Sequence, residues 1–245
     1  LEDALCLSGS SKLIKLTVNS SNVVGLRLSD QSTLKDCNFR TYNYQHQQTN
    51  ERVDVHIRNC PQLEEIWLFS MVANDLVIDG TPRLKDARIT AYNKNYQVFG
   101  TAAIGDLDSI ETLYLSGQMT SFTLGATPKL KNLTLQEADP FSGGAGLPDL
   151  PALNKLYLDA PSTLCHFPSM PVLKEASISM NSIKNLNGLS LPALEKMVLS
   201  CDSLQDLSGM TLPNLVELSI QSAQLPSLDG LVGNKLESLT VNAPQ

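Results

Sequence analysis

The sequence has few of the residues on which enzymes and metal sites are usually built. It contains three histidines, one tryptophan and five cysteines in 245 residues, and the cysteines form no CxxC pair. None of the histidines stands at a metal-ligand spacing from a Cys, Asp or Glu. The chain also has no P-loop, no G-x-S-x-G motif and no G-x-G-x-x-G motif. We therefore predict no metal, no cofactor and no catalytic activity, and we expect the cysteines to be small buried or half-buried hydrophobes.

Basic charge and long apolar segments are also scarce. The net charge is −7 and the pI is about 4.9, which argues against nucleic acid and anionic membrane surfaces as partners. No apolar run reaches the roughly 18 residues of a membrane span, so we expect no direct membrane insertion. The chain begins at Leu1 without a Met, so we expect a processed product whose targeting segment is absent from this chain.

One hexamer, apolar-x-x-apolar-x-apolar, recurs along the whole chain. Examples are LEEIWL at 63 and LNKLYL at 153. The eleven copies begin at residues 13, 34, 63, 84, 110, 130, 153, 173, 194, 215 and 236. Most hexamers begin 20 or 21 residues after the one before, and three of these intervals are longer because they contain insertions. Such a period indicates a repeat solenoid in which each unit buries its apolar face against its neighbours.

The end of each hexamer predicts a strand. Its last two apolar residues alternate with polar ones, as in Leu156-Tyr157-Leu158, and period 2 is typical of a strand with one buried face. Stacked copies predict one parallel sheet of about eleven strands.

A second apolar pair precedes each hexamer and changes spacing halfway along the chain. It alternates in the first half, which predicts short strands on the opposite wall: Leu5/Leu7, Leu26/Leu28, Val55/Ile57, Leu76/Ile78, Ala102/Ile104 and Phe122/Leu124. In the second half the spacing opens to three, as in Ile183/Leu186, which favours irregular or 3₁₀ turns. We predict one domain, 1–245, with a strand-type wall over 1–136, an insertion at 137–151 and a turn-type wall over 152–245.

The hexamer resembles the L-x-x-L-x-L signature of leucine-rich-repeat proteins. LVIDGTPRLKDARI and FTLGATPKLKNLTL are similar to repeats of Bacteroidetes surface proteins, and NSIKNLNGLSLPALEKMVL is similar to internalin-type repeats. The resemblance implies a mostly β member of the α/β horseshoe class with the long sheet on the concave side. It also implies a bacterial protein that is secreted or stands on the outer-membrane surface, in some members through a lipid anchor, with a role in host interaction.

Large side chains gather on the outward face of the predicted sheet. We predict a ligand-binding patch there, because exposed aromatic and Arg residues are typical of binding sites: Trp67, Phe69, Arg88, Tyr114 and Tyr157. Tyrosines in two similar insertions, TYNYQ at 41–45 and AYNKNYQ at 91–97, are predicted to form its rim: Tyr42, Tyr44, Tyr92 and Tyr96. Alternatively, these insertions fold over Trp67 and bury it as a satellite core.

Three functions fit these features. The first is a non-catalytic recognition module that binds a protein or glycan on the concave face. The second is a structural spacer or adhesin stalk without a discrete ligand. The third is a carbohydrate-active enzyme on a parallel β-helix, which predicts three sheets per turn. For that enzyme the candidate carboxylates are Glu65 and Asp86, which neighbouring strands would bring within roughly 5 Å in backbone terms.

Overall fold

A computed structural model of the chain shows a stack of parallel strands. It describes residues 4–20, 23, 25–41, 53–69, 73–90, 99–117, 119–137, 146–160, 167–180 and 182–243. These residues form seventeen strands in two sheets, numbered β1 to β17 in chain order.

The long sheet has eleven strands, one for each hexamer, and neighbouring copies in the sequence are neighbours in the sheet. Every pairing in it is parallel and without a register shift. Its strands are β2 (Lys15–Ser20), β4 (Asp36–Thr41), β6 (Glu65–Phe69), β8 (Asp86–Thr90), β10 (Thr112–Ser116), β12 (Asn132–Gln136), β13 (Lys155–Asp159), β14 (Glu175–Ser179), β15 (Lys196–Ser200), β16 (Glu217–Gln221) and β17 (Ser238–Asn242). The predicted eleven-stranded parallel sheet is confirmed.

Burial along these strands follows the alternation of the sequence. In β13, Leu156 and Leu158 are buried, whereas Tyr157 between them is 40 % exposed. In every long-sheet strand from β4 to β16 the second and fourth residues are buried in the same way. One side of the long sheet therefore faces the core, and we call the other side the open face.

The short sheet lines the other side of the core and has six parallel strands in the order β1-β3-β5-β7-β9-β11. They are β1 (Ala4–Ser8), β3 (Gly25–Ser29), β5 (Val53–Arg58), β7 (Ala73–Asp79), β9 (Phe99–Ile104) and β11 (Met119–Leu124). All six strands predicted for the opposite wall are present.

The core between the sheets is one continuous apolar cluster. Phe39 on the long sheet and Phe122 on the short sheet are its largest fully buried side chains. Because the last strand has a neighbour on one side only, its apolar residues Leu239 and Val241 remain 42 % and 37 % exposed.

A column of left-handed residues follows the strands of the short sheet. Gly9, Asp30, Asn59 and Gly80 come directly after β1, β3, β5 and β7, and all four have a positive φ between 53° and 68°. Glycine, Asn and Asp tolerate this conformation best, which explains the residue types at this position. The Asn59 amide donates a hydrogen bond to the Asp30 Oδ1 at 3.1 Å, so the column is also bonded from turn to turn.

The second wall changes from strands to turns after Leu124. In the described residues from 146 onward the wall contains turns and one isolated parallel bridge, between Ser190 and Thr211. No helix is assigned in the described ranges. The turns are closed by single backbone bonds between residues three apart, such as Leu189 N to Leu186 O at 3.1 Å and Leu204 N to Cys201 O at 3.0 Å. Within the same ranges there is also no long apolar helix of the kind that crosses a membrane. The fold is a mostly β, parallel solenoid.

The tight contact between turns at Gly80 provides a test of this stacking. A Cβ added there would lie 2.9 Å from the backbone nitrogen of Asn59. We expect Gly80→Ala to lower the free energy of unfolding by about 2–4 kcal/mol, since it adds this overlap to the cost of a left-handed alanine. Gly188 is the matched control, because it has φ +80° but nothing within 4 Å of an added Cβ.

Gly188→Ala should cost only about 1 kcal/mol, the conformational part alone. Urea unfolding followed by circular dichroism measures both variants. Equal losses in the two would contradict the close packing described at Gly80.

Candidate functional site

The open face of the long sheet presents three columns of side chains along the stack. The strand register aligns the central column without interruption. Its members are Thr17, Asn38, Trp67, Arg88, Tyr114, Thr134, Tyr157, Ser177, Val198, Ser219 and Thr240. Its large residues lie on strands between β6 and β13. The four residues on β14 to β17 are small or medium in size.

Two arginines and two aromatic rings pack together on β4, β6 and β8. The Arg40 guanidinium carbon lies 4.9 Å from the centroid of the Phe69 ring, and that of Arg88 lies 5.2 Å from the centroid of Trp67. The two ring centroids are 6.2 Å apart. We call these four residues the Arg–aromatic cluster. Cation–π contacts of this kind hold the rings in fixed positions while leaving them half exposed.

The register explains why these contacts form. Arg40 is directly opposite Phe69 in the β4–β6 pair, and Trp67 is directly opposite Arg88 in the β6–β8 pair. Opposed side chains on one face of a parallel sheet are about 4.8 Å apart in backbone terms, which is within stacking distance. Phe69 and Trp67 are two residues apart in one strand and therefore share a face.

The two candidate carboxylates, Glu65 and Asp86, are opposed on β6 and β8. Asp86, however, is engaged by Arg88, whose Nε and Nη2 donate to its two oxygens at 3.1 and 3.2 Å. Hydrogen bonding to Asp86 is the main cause of the raised pKa of Arg88, and the charge of Glu65 raises it further. The carboxylate of Asp86 therefore accepts hydrogen bonds that also hold Arg88 over Trp67.

The two tyrosines of the predicted patch differ in their surroundings. The Tyr114 hydroxyl donates a hydrogen bond to Gln136 Oε1 at 3.0 Å and the residue is half-buried. Tyr157 lies four strands from Trp67 and is 40 % exposed. It forms one wall of a groove of about 400 Å³ across β12 to β15, with Ser177 and Val198 also lining it.

The predicted patch therefore divides into two parts. The structure brings Trp67, Phe69 and Arg88 together, with Tyr114 on the next strand, and places Tyr157 in a separate groove. The four predicted rim tyrosines, Tyr42, Tyr44, Tyr92 and Tyr96, lie outside the described residues.

Arg40 belongs to the cluster but is absent from the predicted patch. It follows Asn38 by two residues, so the alternation already places its side chain on the open face. Its contact with Phe69 depends on the β4–β6 register across a 29-residue repeat step, which the hexamer spacing contains. The predicted patch includes Phe69 from this outer column but leaves out Arg40, its neighbour on β4.

Titratable groups suited to metal binding do not gather in the described part of the chain, where no group of three or more His, Cys, Asp or Glu could hold an ion. Cys37, Cys60 and Cys201 are buried, in agreement with their expected role as hydrophobes, whereas Cys6 is exposed. Burial, with Cys60 as a smaller cause, raises the pKa of the Cys37 thiol to about 12. Burial also raises the pKa of Cys60 and of Cys201.

The cation–π contact on Trp67 is testable because it is the only tryptophan in the chain. We expect Arg88→Ala to raise acrylamide quenching of Trp67 fluorescence, since the guanidinium covers one face of the ring. It should also lower the free energy of unfolding by about 0.5–1 kcal/mol. Arg58→Ala, on the exposed side of β5 in the short sheet, is the control and should change neither quantity. Unchanged quenching in Arg88→Ala would contradict the stacked geometry.

Thiol reactivity provides a second test, made in a Cys165→Ser variant because Cys165 lies outside the described residues. At pH 8 a raised pKa keeps the buried thiols protonated, and the reactive species is the thiolate. We expect one fast reaction with Ellman's reagent per native chain, at Cys6, and four after unfolding in guanidinium. Adding Cys6→Ser should remove the fast reaction, and its persistence would show that a supposedly buried thiol is accessible.

Comparison of the chain with protein-family models, with curated proteins and with solved structures gives no match in any of the three.

Proposed function

We propose that this protein is a leucine-rich-repeat recognition module that binds a protein or a glycan on its open face and has no catalytic activity. The observation that carries the proposal is the Arg–aromatic cluster. Trp67 and Phe69 remain half exposed on a surface that is otherwise mostly polar. Trp and Arg are the residue types most enriched among binding hot spots.

The repeat class is supported by the number of walls in each turn. The described residues form one sheet on each side of a single core, with turns replacing the second sheet in the later repeats. A parallel β-helix of the type found in carbohydrate-active enzymes has three sheets per turn. Two walls, together with the L-x-x-L-x-L spacing, favour the leucine-rich repeat.

The scaffold also favours binding. Arg40, Trp67, Phe69 and Arg88 stand on three paired strands and not on loops, so little conformational entropy remains to be lost when a ligand binds. The engagement of Asp86 by Arg88 supports a non-catalytic role for the Glu65–Asp86 pair. The negative net charge supports partners other than nucleic acid.

The setting that we propose is the cell surface of a bacterium or its exterior, with a host-derived or environmental ligand. This part of the proposal rests on the likeness of the repeats to those of Bacteroidetes surface proteins and internalins. A lipid anchor would be compatible with it.

A spacer role is the second candidate, and one feature of the later repeats favours it. There, lysines and glutamates of neighbouring turns pair with each other: Lys155 with Glu175 at 3.0 Å and Lys174 with Glu195 at 3.2 Å. Lys196 and Glu217 form a third pair. The earlier repeats have such pairs too, but from Ser177 onward the central column of the open face is also small or medium in size. This half of the chain therefore offers few groups to a partner and would serve mainly to extend the stack.

A glycan array and a panel of host surface proteins, probed with the whole chain, test the proposal. We expect the Trp67→Ala/Tyr114→Ala variant to lose at least 30-fold in affinity for whatever the wild type binds, which corresponds to a hot-spot loss of about 2 kcal/mol or more. Both residues lie in the central column, one on each side of Arg88.

The matched control is His56→Ala/Val77→Ala, an opposed pair of half-buried residues on the short sheet. It should bind like the wild type, and circular dichroism should show that both variants are folded. Wild-type affinity in the Trp67→Ala/Tyr114→Ala variant would refute the site, and the absence of any ligand would favour the spacer.

A further inference from the structure

Within the part of the chain that the structure describes, one cation of the Arg–aromatic cluster has no anion paired with it. We propose that this cation, Arg40, binds the carboxylate of an acidic sugar whose ring packs on Trp67 and Phe69. This inference rests on the proposed function, because it names the ligand class of the same surface.

Arg40 and Arg88 are alike in stacking but differ in pairing. Arg88 stacks on Trp67 and is held by both oxygens of Asp86. Arg40 stacks on Phe69, yet no carboxylate pairs with it in the part of the chain that the structure describes, and its Nε is buried without an acceptor. Stacking leaves the edge of a guanidinium free to donate, and a carboxylate matches two of its N–H groups at once.

The distribution of charge on the open face also permits an anion to bind at Arg40. Asp36, Glu65 and Asp86 are successive members of one outer column, and Arg40 stands in the opposite outer column. Arg40 and Asp36 are four residues apart in β4, a separation of roughly 13 Å, which exceeds the Debye length of about 8 Å at physiological salt. Lys15, 3.9 Å from Asp36, partly neutralises that carboxylate as well. An anion at Arg40 is therefore largely screened from the acidic column.

The size of the cluster favours a sugar over a protein segment. Its three strands span about 10 Å, which fits one or two sugar rings, whereas a stable protein interface covers about 800 Å² on each partner. The Trp67 and Phe69 rings are inclined by 56°, so they form an angled platform rather than a flat one. Such a platform can contact a puckered ring through its C–H groups, with the carboxylate at the Phe69 side beside Arg40.

Matched pairs of sugars test the role of the carboxylate. The probes are trigalacturonate against its methyl ester, and sialyllactose against lactose, titrated into the whole chain by calorimetry and by Trp67 fluorescence. We expect an acidic member to bind at least tenfold more tightly than its neutral partner, the usual worth of a hydrogen bond to a charged group. That preference should decrease with added salt.

Arg40→Gln should remove the preference, lowering affinity for the acidic sugar about tenfold and leaving the neutral one unchanged. Arg40→Lys keeps the charge and should restore part of the preference, so it serves as the second variant if Arg40→Gln is poorly folded. Arg58→Gln, on the short sheet, is the control and should behave as the wild type.

Several outcomes overturn the inference. They are equal binding of acidic and neutral sugars, no binding of any of the four, and an equal loss for both members of a pair in Arg40→Gln. In each of these cases the proposed function survives if another ligand, an acidic protein segment included, requires Trp67 and Tyr114. A preference for acidic sugars that persists in Trp67→Ala/Tyr114→Ala would instead refute the proposed site and retain Arg40 as the anion-binding residue.

Discussion

The structure depends on the hydrogen bonding of each turn to the next. A single turn offers only short apolar segments on its two walls, so its leucines are buried only when both neighbouring turns are in place. The backbone bonds begin one residue before the long-sheet strands, where Glu64 N donates to Lys35 O at 2.8 Å and Lys85 N donates to Glu64 O at 2.8 Å. The apolar columns, the open face and the Arg–aromatic cluster all follow from this alignment.

Side-chain charges reinforce the same register. Glu64 pairs with Lys85 and Glu111 pairs with Lys131 across neighbouring turns, and each lysine lowers the pKa of its glutamate. A glutamate whose pKa is lower in the folded than in the unfolded state stabilises the fold at pH values above its unfolded-state pKa. This contribution is lost as the pH falls through its folded-state pKa. Because the pairs are exposed, each contributes little alone, and their effect is on alignment more than on total stability.

The backbone of the stack could be predicted from the sequence, but the site only in part. The recurring hexamer predicted the long sheet, and the alternating apolar pairs before it predicted the short sheet. Alternation, as at Leu156-Tyr157-Leu158, leaves only one choice of buried face. Trp67 was correctly placed on the open face. The contacts around Trp67 were harder to predict. The contact of Arg40 with Phe69 and the ion pair of Arg88 with Asp86 depend on side-chain conformations, which the periodicity of the sequence does not specify. The rim tyrosines lie in insertions that follow no repeat.

The strand pairing is insensitive to the length of the connection between repeats. Hexamers at 34 and 63 are 29 residues apart, and those at 173 and 194 are 21 residues apart, yet β4–β6 and β14–β15 are aligned equally well. Extra residues between two hexamers therefore leave the strand register unchanged. In such a frame the connections can diversify in length and composition while the aromatic residues on the sheet beside them keep their positions.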